Sequence, residues 1–587
     1  MLRELGFLIL LLSLLSSSYG CISAAICCYT RQKALLYSSK IASLYTTTLV
    51  VLSCFLLIFS FYHNDYSFLY IYKNSSNDLP FFYRISAFWS SLEGSHLLWT
   101  TLLSLFVTLA LWSYHKKNES LIPFISFVGQ GILAWMFFLA CYSSSPFAAL
   151  FPRPSNGLGM NELLQNPYMM IHPPILFTGY TTLCIPFLYS VSSLWNGNLY
   201  QECLTTMRRW ALLSWIFLTV GIFLGGRWAY VELGWAGYWA WDPVENSSFL
   251  PWLFLTAFIH ALILVKDTGK FRHLLFILSF FSAFFSYFGT FITRSGIISS
   301  VHSFAQSDVA MNYLIFLALF LLFIIIVYAL KGKNHLRSNF SQLPQIYHSQ
   351  IFVSAQFLFV SFAFIILMGT LYPIISEYIT GIRFNVQAPY FNSFAPYIGF
   401  FFIILITLGN LFRRKKKYSY IKPKQIIIAG VLSTLFTLAF CYQGEVFKTK
   451  SLYGFSLQIT GIYLCFLSAM LLSYDLLQQF KIKKMNKLRP VGSFLSHIGL
   501  LISILGFLGN YRGLSQLQTL HRSEKFSFYH YQFKFKGLEV LQEDNVLFYK
   551  APIEFKKAGK SYGTIYPARA KYPTKKELIH EVDYYSN

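Results

Sequence analysis

The 587-residue sequence has 55% hydrophobic and only 12% charged residues, which is not the composition of a soluble protein. A net charge of +24 is compatible with a nucleic-acid partner, but the Lys and Arg residues gather in short stretches between long apolar runs. This placement excludes a soluble nucleic-acid-binding protein and indicates a chain that crosses a membrane many times.

Fourteen apolar runs have the 18 or more residues needed to cross about 30 Å of hydrocarbon. Residues 1–20 also resemble a signal peptide ending in SSSYG, but the apolar character continues to Cys28, so we favour a retained span. The predicted spans are residues 5–28, 41–62, 95–114, 121–143, 174–194, 209–226, 248–265, 273–293, 310–330, 350–372, 394–412, 425–443, 456–476 and 491–510.

The basic residues alternate between the two sides of these spans. One set of connections, which includes residues 413–424 and 481–489, holds 25 of the 47 Lys and Arg residues. The opposite set holds 9, and the segment after residue 510 holds 13. The positive-inside rule makes the set of 25 cytoplasmic, so the amino terminus and the carboxyl-terminal tail are predicted to lie outside.

The tail differs in pattern from the rest of the chain. Short alternating runs such as FSFYHYQFKFKGLEV and NVLFYKAPIEFKK indicate β-strands separated by turns. We therefore predict an all-α polytopic membrane protein with about 14 transmembrane helices over residues 1–510, followed by a small exported β domain over residues 511–587.

Residues 225–252, GGRWAYVELGWAGYWAWDPVENSSFLPW, contain five of the 12 tryptophans. An interfacial aromatic belt explains one or two of them, but not five. Flat aromatic walls, glycines that permit tight turns and a few polar anchors suit a planar apolar ligand with a polar edge, such as a porphyrin. A quinone site and a lipid headgroup site are the alternatives. Asp242 and Glu245 are general acids, polar anchors or loop braces in this pattern, and we favour braces.

Two histidines, His172 and His302, flank predicted spans on the same outer side as the Trp-rich segment. Pro173 follows His172, so we expect the imidazole to project from the entrance of the next helix. Imidazole is a usual axial ligand of haem iron, and two imidazoles beside a porphyrin-shaped loop predict a shared haem site. Either histidine taken alone is more commonly a surface residue than a ligand.

His260 and His497 lie inside the predicted seventh and fourteenth spans, where ionisable side chains are costly. His260 lies about 9 Å, and His497 about 10 Å, from the cytoplasmic end of its span at 1.5 Å per residue. Two axial ligands of one haem must lie at similar depth, and these two do. The alternative for each is a neutral histidine that is hydrogen-bonded to a neighbouring helix.

The run GWAGYWAWDPVENSSFLPW resembles the Trp-rich WWD motif of the cytochrome c assembly membrane proteins. Length and surroundings look most like the CcmF family, the haem lyases of the Ccm maturation system, and the resemblance covers essentially the whole chain. The stretches that support it are YRISAFWSSLEGSHLLW, MMIHPPILFTGY, FGTFITRSGIISSVHSF and LYPIISEYITG.

The resemblance implies that His172 and His302 ligate the haem that is being delivered, as the catalytic pair. It implies that His260 and His497 ligate a resident b-type haem, which would keep the substrate iron ferrous. The residues expected to contact haem in the Trp-rich segment are Trp228, Trp235, Tyr238, Trp239, Trp241, Asp242, Glu245 and Asn246.

The resemblance also implies the reaction and the partners. Haem is taken from a chaperone of the CcmE type, and its vinyl groups are joined to the C-x-x-C-H thiols of an apocytochrome c brought by a partner of the CcmH type. None of the nine cysteines forms a C-x-x-C motif, so those thiols belong to a partner. The expected location is the bacterial inner membrane with the active face toward the periplasm, or alternatively the mitochondrial inner membrane.

Three features depart from the family pattern. Tyr238 stands where a Trp is common, Arg227 precedes Trp228, and no final membrane span follows the tail. Other function classes also remain open. A haem exporter or carrier-loading protein would share the outer features without needing the inner His pair. A respiratory cytochrome b-type subunit and a fused cytochrome c synthase are the further alternatives.

Overall fold

The fourteen predicted spans all occur as helices in a computed structural model of the chain. The structure describes residues 1–114, 116–197, 199, 201–233, 237–298, 309–335, 346–412, 423–443, 452–480, 488–509, 521–528, 531–543, 546–557, 559–571 and 579–581. It divides into two units. The first comprises residues 1–338, 366–386 and 518–587, and the second comprises residues 339–365 and 387–517.

Sixteen α-helices occur in the described part of the chain, and thirteen of them are long and apolar enough to cross a membrane. Helix α16 adds a shorter apolar stretch, Pro490–Gly506, which agrees with the predicted total of about 14. The bounds are α1 Leu2–Thr30, α2 Lys33–Tyr62, α3 Leu69–Asn74, α4 Phe81–Ser86, α5 Leu92–Trp112, α6 Ile122–Tyr142, α7 Pro167–Asn196, α8 Gln201–Glu232, α9 Pro243–Thr268, α10 Arg272–Ser295, α11 Val309–His335, α12 Ile346–Thr380, α13 Ala388–Leu411, α14 Pro423–Gln443, α15 Leu452–Phe480 and α16 Leu488–Gly509.

Helices α7 and α8 are longer than the spans predicted for them. Helix α7 begins at Pro167 because the Asn166 side chain caps it, accepting a 2.8 Å hydrogen bond from the Tyr168 amide. Pro173 and Pro174 therefore lie inside the helix, as membrane helices tolerate. Helix α8 has 32 residues, about 48 Å, and so exceeds the hydrocarbon thickness.

Small residues bring α7 and α8 close together in the first unit. A Cβ atom added to Gly179 would lie 2.7 Å from Leu218 Cγ, and one added to Gly221 would lie 3.1 Å from Leu176 Cα. Close backbone approach of this kind is a common basis of helix packing in membranes, where lipid provides no hydrophobic force between helices. It places the amino-terminal half of α7 against the carboxyl-terminal half of α8, where the candidate site lies.

The second unit packs on a small apolar core formed by Ile403, Cys465, Leu472 and Leu501 from α13, α15 and α16. A hydrogen bond of 2.6 Å joins the buried hydroxyls of Thr407 and Ser468 across two of these helices. Paired hydroxyls of this kind satisfy polar groups that would otherwise lie unpaired in an apolar interior.

The tail forms the predicted β region. Its strands are β1 Lys525–Phe528, β2 Tyr531–Phe535, β3 Glu539–Glu543, β4 Val546–Lys550, β5 Ile553–Lys557, β6 Lys560–Ile565, β7 Ala568–Lys571 and β8 Ile579–Glu581. They make two antiparallel sheets with strand orders β1-β2-β5-β6 and β3-β4-β7-β8. Phe533 pairs with both Phe526 and Phe555, so stacked aromatic rings cover one face of the first sheet. The fold class predicted from the sequence is thus confirmed.

Candidate functional site

The Trp-rich segment, residues 225–252, is mostly helix and not the porphyrin-shaped loop predicted from the sequence. Helix α8 continues to Glu232 and α9 begins at Pro243, so only residues 233–242 connect them. The cause is the length of α8, which extends beyond the hydrocarbon. Trp235 and His302 lie outside the described residues, and their predicted contacts with haem stay predictions.

His172 lies within α7, one turn after its start, and not at the helix entrance as predicted. Its half-buried ring rests on α8, where Nδ1 lies 2.7 Å from the carbonyl oxygen of Gly221. A carbonyl only accepts, so Nδ1 carries the proton and donates. This tautomer leaves the lone pair on Nε2, the atom that ligates iron when the second nitrogen is anchored to the protein.

Gly225 makes room for this imidazole. A Cβ atom added at Gly225 would lie 2.7 Å from His172 Cε1, closer than such atoms approach in proteins. The close approach explains why glycine suits this position of α8. The sequence indicated only turns for the glycines, although the helical spacing of Gly221 and Gly225 could have indicated this role.

Gly225→Ala is therefore expected to displace the His172 ring and to weaken binding of added haem about tenfold or more. Each factor of ten in affinity corresponds to about 1.4 kcal/mol of binding free energy. Spectral titration of the purified protein with haem measures this affinity. Gly131→Ala is the matched control, because its added Cβ would meet only Cys21 Sγ at an ordinary 3.4 Å. Equal haem affinity in the two variants would contradict the role given to Gly225.

The connection ends in a built helix cap. Trp241 adopts a left-handed φ of 60°, and Asp242 is the N-cap of α9. The Asp242 carboxylate accepts a 3.0 Å bond from the Val244 amide, while Glu245 Oε2 accepts bonds of 2.9 and 3.0 Å from the Ala240 and Asp242 amides. Both carboxylates are thus engaged in a capping box, which supports the interpretation of both as braces.

Asn246 extends the brace. Its Nδ2 donates to the Trp241 carbonyl oxygen at 3.0 Å and to Thr370 Oγ1 at 3.1 Å. Asn246 and Thr370 are both buried, so the bond ties the end of the connection to the part of α12 that belongs to the first unit. A direct contact of Asp242, Glu245 or Asn246 with haem stays a prediction.

Asp242→Asn is expected to retain function, because an amide oxygen caps a helix as well as a carboxylate does, whereas Asp242→Ala should destabilise α9 by about 1 kcal/mol. Thermal unfolding of the detergent-solubilised protein, together with the yield of holocytochrome c, measures both effects. If Asp242→Asn loses activity at wild-type stability, Asp242 acts as an acid and not as a brace.

The remaining aromatic residues divide into interior and exposed positions. Trp228 is 1% exposed and its Nε1 donates to the Leu163 carbonyl oxygen at 2.9 Å, so it supports the site from the protein interior. Tyr238 is 42% exposed, and its carbonyl oxygen lies 2.8 Å from where a Cβ of Gly226 would be. Trp239 packs edge to face on Trp241 with 5.8 Å between ring centroids. Their contacts with haem stay predictions.

His260 and His497 lie inside helices α9 and α16, as predicted. The two rings are held alike, with Nδ1 2.7 Å from the Thr256 carbonyl oxygen for His260 and 2.7 Å from the Ser493 carbonyl oxygen for His497. Each Nδ1 therefore carries the proton and Nε2 keeps the lone pair, which is the tautomer that an axial ligand of haem iron uses. Their assignment to one haem stays a prediction.

His96, in the stretch YRISAFWSSLEGSHLLW, is fully buried with both ring nitrogens bonded to the protein. Nδ1 lies 2.7 Å from Tyr313 Oη, and Nε2 lies 2.9 Å from the Met136 carbonyl oxygen. Nearby, the buried Arg294 donates to the Leu92 carbonyl oxygen and to Ser95 Oγ. These polar residues hold α5, α6, α10 and α11 together. Packing of these helices therefore explains the stretch YRISAFWSSLEGSHLLW.

Comparison with known proteins gives a consistent set of relatives. Residues 89–298 match the family described as cytochrome C assembly protein. The chain is 30% identical over 540 residues to the cytochrome c-type biogenesis protein CcmF of Haemophilus influenzae, a match covering 89% of this chain and 81% of that relative. It is 35% identical over 404 residues to the probable cytochrome c-type biogenesis protein NrfE of Escherichia coli, covering 68% and 72%.

A solved structure has the same fold. The structure of a cytochrome c heme lyase CcmF superposes with a TM-score of 0.80 at 24% identity, covering 100% of this chain and 90% of that one. The likeness extends from the membrane helices to the β region of the tail.

Proposed function

Because the chain belongs to the CcmF family of cytochrome c-type biogenesis proteins, we propose that it binds haem on the outer face of the membrane and joins it to apocytochrome c. The observation that carries the proposal is the His172 imidazole, held on α8 by Gly221 and Gly225 in the tautomer that leaves the lone pair on Nε2. The apolar helices and the bacterial relatives support a location in the inner membrane.

In the proposed reaction each thiol of a C-x-x-C-H motif adds across a vinyl double bond of the substrate haem. Sulfur bonds to the carbon next to the ring and hydrogen to the terminal carbon, so there is no net oxidation. His172 and His302 would hold the iron, and the aromatic residues would hold the ring with its vinyl edges open. Fixing both reactants in this way can remove about 7 to 11 kcal/mol of a barrier in favourable cases.

His260 and His497 are the residues that would hold a resident haem b. The donor set fits, because each imidazole is oriented by a bond to the carbonyl four residues earlier on a membrane helix. Bound haem supplies one-electron chemistry. The chain contributes the apolar surroundings and the orientation of the two ligands.

The partners in this proposal are those that the family resemblance implies. Substrate haem comes from a haem chaperone of the CcmE type, and the reduced thiols come from apocytochrome c together with a partner of the CcmH type. All nine cysteines of the chain are free and lie in or beside its helices, mostly buried, so none is placed to supply a substrate thiol. Nucleic acid has no role in the proposal.

A reconstituted reaction tests the proposed function. The purified protein is mixed anaerobically with haem-loaded chaperone and an apocytochrome c with reduced thiols. The expected product is a cytochrome that keeps its haem after acid acetone extraction and gains the mass of one haem. A protein that only exports or presents haem would deliver it non-covalently, and the extraction would then remove it.

A further inference from the structure

A row of aromatic rings runs along α8 and α9 on their partly exposed faces. Trp215 stacks on Trp252 at 5.9 Å between centroids, Trp252 stacks on Phe249 at 5.5 Å, and Phe249 meets Trp239 edge to face at 5.7 Å. Trp239 in turn meets Trp241 at 5.8 Å. We call these five residues the aromatic row.

Two hydrogen bonds fix two of the four indoles of the row. Trp252 Nε1 donates to Thr219 Oγ1 on α8 at 2.8 Å, and Trp215 Nε1 donates to Thr256 Oγ1 on α9 at 3.0 Å. Each indole on one helix thus donates to a threonine on the other. A ring that is hydrogen-bonded at its edge and stacked on its face is held in one orientation. Apolar packing by itself requires only a side chain of the right volume.

These bonds also give the register of the two antiparallel helices. Thr219 lies level with Trp252, and Trp215 lies level with Thr256. Four residues further along α9, the same register puts His260 level with Ala211 of α8. His172 is bonded to Gly221, so the two imidazoles are separated along α8 by the ten residues from 211 to 221, about 15 Å.

The aromatic row spans this separation. At one end of the row, Trp215 contacts Thr256. The Thr256 carbonyl oxygen accepts the bond from His260 Nδ1 at 2.7 Å. Trp252 lies between the two imidazole levels, and Phe249 lies at the level of Gly221. Rings in contact therefore connect the level of the inner histidine with the level of the outer one.

We propose that the aromatic row is a route for single electrons between a haem at His260 and the substrate haem at His172. This inference rests on the proposed function. His260 would hold the donor iron and His172 the acceptor iron, and one electron would pass from ferrous resident haem to ferric substrate haem with no bond or proton transferred. Tunnelling decays exponentially with distance, and contacting π systems shorten the gaps that an electron must cross.

Stopped-flow mixing tests the route. Protein with its resident haem chemically reduced and freed of reductant is mixed anaerobically with saturating ferric haem, and the loss of the ferrous absorbance is followed. Phe249→Leu and Trp252→Leu are expected to slow this phase by an order of magnitude or more, whereas Trp252→Phe keeps a ring and stays within a few-fold of wild type. The visible spectrum, midpoint potential and haem affinity should not change.

Trp195→Leu is the matched control, because Trp195 stacks on Phe124 and lies outside the aromatic row. Phe249→Leu removes no hydrogen bond and decides the test if Trp252→Leu does not fold. If the wild type reacts and Phe249→Leu reacts at the same rate, only the role of the aromatic row as the electron route is overturned. A wild type whose resident haem is not oxidised by ferric haem would overturn the electron route as a whole, whereas the proposed function fails only if acid acetone extraction removes the haem.

Discussion

Purified protein carrying His260→Gly is expected to lose the bis-imidazole b-type spectrum of the wild type completely, and His497→Gly should have the same effect. Each side chain lies on a membrane-interior helix and is oriented by its own bond to the carbonyl four residues earlier. A haem iron deprived of one axial ligand loses low-spin coordination and affinity together. Visible absorption of the ferrous protein and the haem content per polypeptide measure the loss.

His63→Gly is the matched control for this prediction. His63 makes the same kind of bond, from Nδ1 to the Phe59 carbonyl oxygen at 3.0 Å, but it is an exposed residue at the end of α2. The hydrogen bond alone therefore does not identify a ligand, and the position inside a membrane helix is what distinguishes His260 and His497 from His63. A full b-type spectrum in either of the two Gly variants, or equal loss in His63→Gly, would refute the assignment of the resident haem.

The second large effect is expected for His172→Gly. This variant should reduce the yield of holocytochrome c by at least an order of magnitude while the spectrum of the resident haem is retained. The reason is that His172 would supply a ligand to substrate iron, whereas α7 and α8 keep their close approaches at Gly179 and Gly221. Haem staining of cytochromes in cells that lack their own lyase measures the yield.

His335→Gly is the control for the outer histidine. His335 also bonds through Nδ1 to a backbone carbonyl, that of Leu194 at 2.8 Å, but it lies at the opposite end of the first-unit helices. Normal cytochrome yield in His172→Gly would remove the central residue of the proposed outer site. Loss of the resident spectrum in the same variant would show that His172 acts through the fold.

The sequence predicted the helices well because the property that selects them is local. Each span is apolar enough over its own length to enter lipid, so hydropathy located all fourteen without any contact between them. The errors lay at the helix ends. Helix α7, which is capped by Asn166, begins at Pro167, and α8 continues to Glu232. Caps and helix length beyond the hydrocarbon determine these ends, and hydropathy does not report them.

The candidate site divides in the same way. The Trp-rich motif, the two interior histidines and the outer His172 were identified from residue type and position, and Asp242 was interpreted as a brace from turn chemistry. Sequence could not reveal that Gly225 seats the His172 ring or that Trp228 faces the interior. Those facts depend on contacts between residues that are far apart in the sequence, namely His172 with Gly225 and Leu163 with Trp228.

What the sequence alone determined is therefore the membrane class, the spans, the β tail and the family motif, all of which are properties of continuous stretches. Only the tertiary structure decided which nitrogen of His172, His260 and His497 bonds a backbone carbonyl and which glycines must stay small. It alone showed that Trp215, Thr219, Trp252 and Thr256 bond across two antiparallel helices. The physical reason is that such contacts depend on the relative position of the two helices, which no local pattern of residues records.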